Sequence, residues 1–150
     1  MSDYLRKRET FNVWVVDRLR ATDIDHQGHI NNTIHAVLCS NGRFDFLMRN
    51  VLPHVGKQDM FALARITIEY LGEMHYPGEV HVGTLIHKVG RSSVTLGQGL
   101  FNEGKCVAVA ESVMVLLDPV TRRAKPWPSL AAQTLSKFTL AAGHVPVGEI

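Results

Sequence analysis

One segment changes the period of the chain. From Asn32 the apolar residues Ile34, Val37, Leu38, Phe44, Leu47, Met48, Val51 and Leu52 recur at three- and four-residue steps until Pro53 stops the pattern. That spacing predicts one helix of about five or six turns. Stepping along it places Asn41 and Asp45 near the middle of the apolar stripe, where polar groups need partners.

Most of the rest alternates with a period of two. Phe11 to Leu19 puts Phe11, Val13 and Val15 on one side and Asn12, Trp14 and Val16 on the other. The polar stretch Arg20 to Asn31 reads as a loop. After Gly56, Phe61 to Leu71 sets Ala64, Ile66, Ile68 and Tyr70 against Arg65, Thr67 and Glu69. Glu79 to Val89, Ser92 to Asn102 and Cys106 to Leu117 follow, separated by the hairpin turns Gly90-Arg91 and Asn102-Glu103-Gly104-Lys105. Asp118-Pro119 ends this meander, and Pro126 and Pro128 lead into a short amphipathic segment, Ser129 to Leu140. Strand, loop, long helix and four strands predict the α+β class, an antiparallel sheet curled around one helix. A single helix covers one face only. The other, to which alternation assigns Leu85 and Val89, is expected to need a partner subunit.

The 150 residues amount to one domain, with 45% apolar and 20% charged residues. Such a chain buries roughly 70% of its unfolded surface, enough for one modest core. Sixteen Lys and Arg against fourteen Asp and Glu leave +2, too little for an extended nucleic-acid face. Val13 to Val16 is far too short for a signal-peptide core or a membrane span, so a soluble cytoplasmic protein without a membrane or nucleic-acid partner is expected. Cys39 and Cys106 are in no paired spacing and offer neither a disulfide framework nor a Cys-based zinc motif.

The densest polar cluster is Asp23-Ile24-Asp25-His26-Gln27-Gly28-His29-Ile30-Asn31-Asn32, in the loop that feeds the helix. Unpaired N–H groups at a helix start suit an anion or a polarised carbonyl. Gly28 permits a positive φ, and Asn31 is the N-cap candidate. The bland alternative is a well-capped helix with solvated loop charges. An EF-hand reading fails because Ile34 occupies the twelfth position from Asp23, where the bidentate Glu belongs. Asp25, His26, His29 and His35 fit no standard metal spacing, so no metal and no other cofactor is expected.

Asp23-x-Asp25-x-x-Gly28-His29-Ile30-Asn31-Asn32, followed eleven residues later by Arg43, resembles the signature of the 4-hydroxybenzoyl-CoA thioesterase-like branch of the hotdog superfamily. Ile68-Glu69-Tyr70, Gly90-Arg91-Ser92-Ser93 and Val115-Leu116-Leu117-Asp118 follow in family order, so the resemblance spans about residues 11–128 of a single domain, with a C-terminal tail over 129–150. It implies a hotdog fold, a five-stranded antiparallel sheet around one long central helix. It also implies a homodimer joined edge to edge, often paired again into a tetramer, with active sites at the dimer interface. By the same resemblance Asp25 is the catalytic carboxylate, a nucleophile forming a mixed anhydride or a general base on water. The resemblance likewise gives the Asn32 backbone N–H the role of polarising the thioester carbonyl.

His29 is a candidate for orienting Asp25 or water, and Gly28, Asn31 and His35 for lining the substrate. Arg91, with Ser92 and Ser93, is the best candidate for the coenzyme A phosphates or pantetheine, ahead of Lys88, Arg122 and Arg123. Two departures from the family stand out: His35 replaces a Tyr common on the first helical turn, and Ser40-Asn41-Gly42 replaces Glu-Glu-Ala. Gly42 is then expected to permit a close packing approach or a kink, and Arg43 and Asp45 to pair with Arg65 or Glu69. The expected activity is hydrolysis of a fatty or aromatic acyl-CoA. The rivals are a hydratase or dehydratase on acyl thioesters, whose Asn-Asp-x-Asn-Pro-x-His motif is missing, and a non-catalytic binder of acyl-CoA or acyl carrier protein.

Overall fold

The computed structural model describes residues 1–140. Five strands, β1 (Val13–Arg18), β2 (Met60–Tyr70), β3 (Glu79–Val89), β4 (Ser93–Asn102) and β5 (Lys105–Leu117), and two helices, α1 (Asn32–Asn50) and α2 (Ser129–Lys137), carry the architecture. The sheet order is β1-β3-β4-β5-β2, every pair antiparallel, so β1 and β2 are its edges. The hairpin turn after β4 is built as its sequence predicts, with Glu103 and Gly104 at φ 51° and 75°.

Helix α1 lies on the inner face of the sheet. Its first half packs Leu38 and Cys39 on Val80, Val82, Leu100 and Ala110; its second half packs Phe46 and Leu47 on Ile86, Leu96, Met114 and Leu116. Between them Gly42 brings helix and sheet together: a Cβ there would stand 2.8 Å from both Gln98 Nε2 and Val82 Cγ1. Gln98 is fully buried and donates to the Cys39 carbonyl and Thr84 Oγ1, both at 3.1 Å. The close approach expected at Gly42 is therefore what the helix uses.

The helix differs from its predicted stripe. His35, Leu38, Cys39, Gly42, Arg43, Phe46 and Leu47 are buried, while Val37, Phe44 and Met48 are exposed. The sequence pattern merged two apolar faces, and Asn41 and Asp45 fell in the middle of the merged stripe. Asn41 Nδ2 instead donates to Asp17 Oδ2 at 2.7 Å, and Asp45 takes Arg49 Nε at 2.8 Å. The expected pairing of Arg43 and Asp45 with Arg65 or Glu69 does not form. Arg65 binds Glu111, and Glu69 binds the N-terminal ammonium and Arg6.

The outer face also departs from expectation, because the chain covers much of it itself. Two 3-10 turns, Asp3–Arg6 and Arg8–Thr10, lay Leu5 and Phe11 against Leu85, Phe101 and Val109. The fit is close: a Cβ on Gly99 would stand 2.6 Å from the Leu5 carbonyl oxygen. Leu85 is thus buried without a second chain. Val89 does not share its face, since the register slips between Ile86 and Lys88 and turns Val89 inward to the helix core. Phe11 precedes β1 and faces outward with Trp14 rather than inward with Val13.

The expected amphipathic segment forms α2, whose Ala131 and Leu135 are fully buried and close one end of the core. Residues 141–150 of the expected tail lie outside the described residues. No helix among the described residues is long and apolar enough to cross a membrane.

Candidate active site

The loop before α1 is tied at its base. Asp23 is buried, its Oδ2 accepting from the Arg20 amide and its carbonyl from the Asn31 amide, each at 2.8 Å. Ile24 and Ile30 form an antiparallel bridge just above. Residues 25–29 then stand out as a small lobe. In it the Asp25 amide donates to the His29 carbonyl at 2.8 Å, and Gly28 turns the chain at φ 81°. Asp25 Oδ1 accepts from the amides of Gln27 (2.9 Å) and His29 (3.3 Å). Its Oδ2 takes no hydrogen bond among the described residues, so the lobe fixes the carboxylate and leaves one oxygen free for chemistry.

The helix start has the same character. Asn31 is the N-cap, its Oδ1 accepting from the Thr33 amide and hydroxyl at 2.9 Å. The Asn32 amide has no acceptor among the described residues, leaving a donor at the positive end of the helix dipole. One turn in, His35 is 4% exposed, and neither ring nitrogen has a hydrogen-bond partner. Burial pushes its pKa below the ordinary value, with the Asn31 and Asn32 backbone pulling the other way. Its ring meets Tyr70 edge-on at 4.9 Å, and the Tyr70 hydroxyl donates to the Asn32 carbonyl at 3.2 Å.

His29 points away from the core toward the β2–β3 loop, its Nε2 3.4 Å from Glu73 Oε2, with His75 beside both. Glu73 and His75 were not singled out in the sequence, and Tyr70 only within the segment Ile68-Glu69-Tyr70. Tyr70 reads there as one more apolar strand residue. The only signal for the other two is their spacing, Glu73-x-His75, which puts both on one side of an extended segment.

Asp25, Gly28, His29, Asn31, Asn32 and His35 come together at one end of the molecule. Arg91, Ser92 and Ser93 do not join them. β3 begins at the Asp25 end, where the Leu19 amide binds the Gly78 carbonyl at 2.9 Å, and eleven residues later delivers the chain to Gly90. At about 3.3 Å per residue, that is ~35 Å away. There the Ser92 carbonyl accepts from the Leu116 amide at 2.9 Å, and the carbonyls of Arg91 and Ser93 take the Trp127 backbone and indole N–H. Lys88, Arg122 and Arg123 stand at the same end, Lys88 near the close of the β3 ladder and the arginines just after β5.

Between the two ends a cavity of about 460 Å³ opens between α1 and β2, lined by Arg43, Phe44, Leu47, Met48, Met60 and Leu63 among others. Arg43 itself is buried and donates to Ser112 Oγ at 3.1 Å, with Gln98 Oε1 at 3.5 Å. No carboxylate faces it among the described residues, and burial lowers its pKa. Burial pushes the neighbouring Cys39 thiol up to about 12, against the pull of Arg43, so it is no nucleophile.

A family model described as the thioesterase-like superfamily matches residues 19–135. A predicted thioesterase from Bacillus stearothermophilus superposes with a TM-score of 0.78 at 27% identity, over 85% of this chain and 96% of that one. A thioesterase from Thermus thermophilus, solved with coenzyme A and zinc, gives 0.72 at 26% identity, over 83% and 98%. A protein from Pseudomonas aeruginosa gives 0.81 at 21% identity, over 90% and 96%, a likeness of fold. Comparison with curated protein sequences gives no match. Five antiparallel strands around α1 are the hotdog fold of these structures.

Proposed function

Because the chain belongs to the thioesterase-like superfamily, we propose that it hydrolyses an acyl-CoA, with water, to the free acid and coenzyme A. The observation that carries this reading is the Oδ2 of Asp25, in the same loop that ends at the Asn32 amide, both without a partner among the described residues. Thioester hydrolysis needs those two groups, an oxygen to attack or to activate water and a donor for the oxyanion that forms. Asp25 supplies the first and the Asn32 N–H the second, strengthened by the helix dipole.

In the nucleophilic form Asp25 attacks the carbonyl, coenzyme A leaves as the thiolate, and water cleaves the mixed anhydride. In the base form Asp25 takes a proton from the attacking water. Neither form calls on a metal or other cofactor. His35 is assigned to the approach of the acyl group, together with Gly28 and Asn31, and His29 to orienting Asp25, whose Oδ1 accepts from its backbone N–H. The apolar cavity along α1 and β2 suits a fatty or aromatic acyl chain. The motif's resemblance supports the 4-hydroxybenzoyl-CoA thioesterase-like branch.

The coenzyme A end requires a second copy. β2 is an edge strand with exposed Leu63 and Tyr70, followed by the exposed Leu71. Antiparallel pairing of two β2 edges sets Met60 of one chain beside Tyr70 of the other. Leu116 pairs with Phe61 at that end of β2 and also holds the Arg91 turn through Ser92. The same two-fold therefore carries Arg91, Ser92 and Ser93 of one copy toward the Asp25 lobe of its mate, and a homodimer becomes the smallest complete site.

The test is a panel of acyl-CoAs of graded length, aliphatic and aromatic, with a thiol reagent reporting free coenzyme A. Release from at least one member, abolished in Asp25→Asn with the oligomeric state unchanged, is the expected result. Tight coenzyme A binding without hydrolysis of any member would replace the enzyme by a binding protein. Single turnover in ¹⁸O-water tests the nucleophilic form: solvent oxygen on Asp25 requires an anhydride that water cleaves at the Asp25 carboxyl carbon, and the base form puts none there.

A further inference from the structure

We propose that His29, Glu73 and His75 form a binding site for a divalent cation of the zinc class, on the lip of the Asp25 lobe. Their ligating atoms all lie within 4.8 Å of one another. Glu73 Oε2 is 3.4 Å from His29 Nε2 and 3.9 Å from His75 Nε2, and the two imidazoles meet edge to face at 5.1 Å. Tetrahedral zinc with bonds of ~2.1 Å holds its ligand atoms about 3.4 Å apart. One pair is at that spacing already, and the exposed side chains of Glu73 and His75 need only small rotations to bring in the third.

The backbone beneath is fixed. Met74, between the two ligands of the β2–β3 loop, is 1% exposed, and its carbonyl takes the Ile30 amide at 2.9 Å. Ile30, next to His29, is 5% exposed. With Met74 and Ile30 anchored in one core, their neighbours Glu73, His75 and His29 turn outward on the same side. Two imidazoles and one carboxylate suit zinc, cobalt or nickel, whereas calcium and magnesium prefer oxygen ligands, and a fourth position stays open for water or a substrate group.

The site touches the chemistry through the backbone. His29 both donates its amide to Asp25 Oδ1 and accepts the Asp25 amide on its carbonyl. A cation joining His29 to the β2–β3 loop thus pins the lobe that holds the carboxylate. This site needs no thioester to be detected, so its failure and that of the proposed activity are separately visible.

The experiment titrates tag-free, full-length protein with Zn²⁺ against a chromophoric chelator, and follows amide hydrogen exchange over residues 25–30. One Zn²⁺ per chain is expected, undisturbed by a thousandfold excess of Mg²⁺, with affinity lowered about tenfold or more in His75→Ala and in Glu73→Gln. Zinc should slow exchange in the lobe of the parent protein and not in His75→Ala, whose melting temperature and metal-free hydrolysis stay those of the parent. Absence of binding, binding that His75→Ala retains, or binding that leaves lobe exchange unchanged would overturn the proposal.

Discussion

The two ends of the β3 strand contrast in what they leave unused. At the helix end, Asp25 Oδ2, the Asn32 amide and both nitrogens of His35 have no partner among the described residues. At the hairpin end the Arg91, Ser92 and Ser93 carbonyls are all claimed by neighbouring N–H groups, while the Arg91 side chain is exposed at the end of the sheet that also carries Lys88, Arg122 and Arg123. Spare groups on the half-buried Asp25 and at the exposed start of α1 are suited to a reacting carbonyl. A rigid turn with a free guanidinium is suited to phosphate. On the proposed reading, chemistry and anchoring are separated by a strand's length within one chain, and a second copy paired along the β2 edge is what would unite them.

The contrast breaks most severely at the lobe. Asp25→Asn is expected to lower kcat by about a thousandfold, since the amide can neither attack nor accept a proton, with the fold kept by its Oδ1 contacts. Initial rates beside a melting curve check this. Next in size is Leu63→Glu, which sets a charge on the exposed β2 edge. It should convert a dimer to monomers in sedimentation and cost most of the turnover although no group of the lobe is altered. Arg91→Ala, at the other end, should raise KM for acyl-CoA about tenfold, the worth of one charge-assisted hydrogen bond, and leave kcat near that of the parent.

The smallest effect is on stability. His35 and His87 both have pKa values lowered by burial, His87 despite Glu111 at 3.3 Å. In the window below the ordinary value of ~6.5 the unfolded chain therefore binds more protons than the native one, and stability falls as pH falls. The melting temperature should drop between pH 7.5 and 5.5. His35→Phe, which keeps the edge-on contact with Tyr70 and has nothing to protonate, should flatten part of that drop.

Local signals carried much of this into the sequence. The change of period at Asn32 marked α1 to within a few residues, and Gly28, Asn31 and Asn32 were legible because the loop and cap are contiguous. Three features were not. The strap over the outer face has no period, and its only trace is glycines such as Gly99 inside otherwise apolar strands, which make sense once Leu5 lies on them. The bulge at Ile86/Lys88 flips Val89 through one extra residue that alternation cannot foresee. Arg43 finds Gln98 and Ser112 across the core, 55 and 69 residues on, where no spacing rule reaches. The site divides in the same way: the contiguous Asp25 lobe could be read from its motif, whereas the distance of Arg91 from it exists only in three dimensions.

The most direct measurement is a crystal structure of the Asp25→Asn protein with coenzyme A. The account predicts the thiol beside residue 25 and the Asn32 amide of one copy, and the phosphates on Arg91 of the copy joined to it through β2. Both ends of the ligand held by a single chain, or a β2 edge facing solvent with coenzyme A bound, would contradict it.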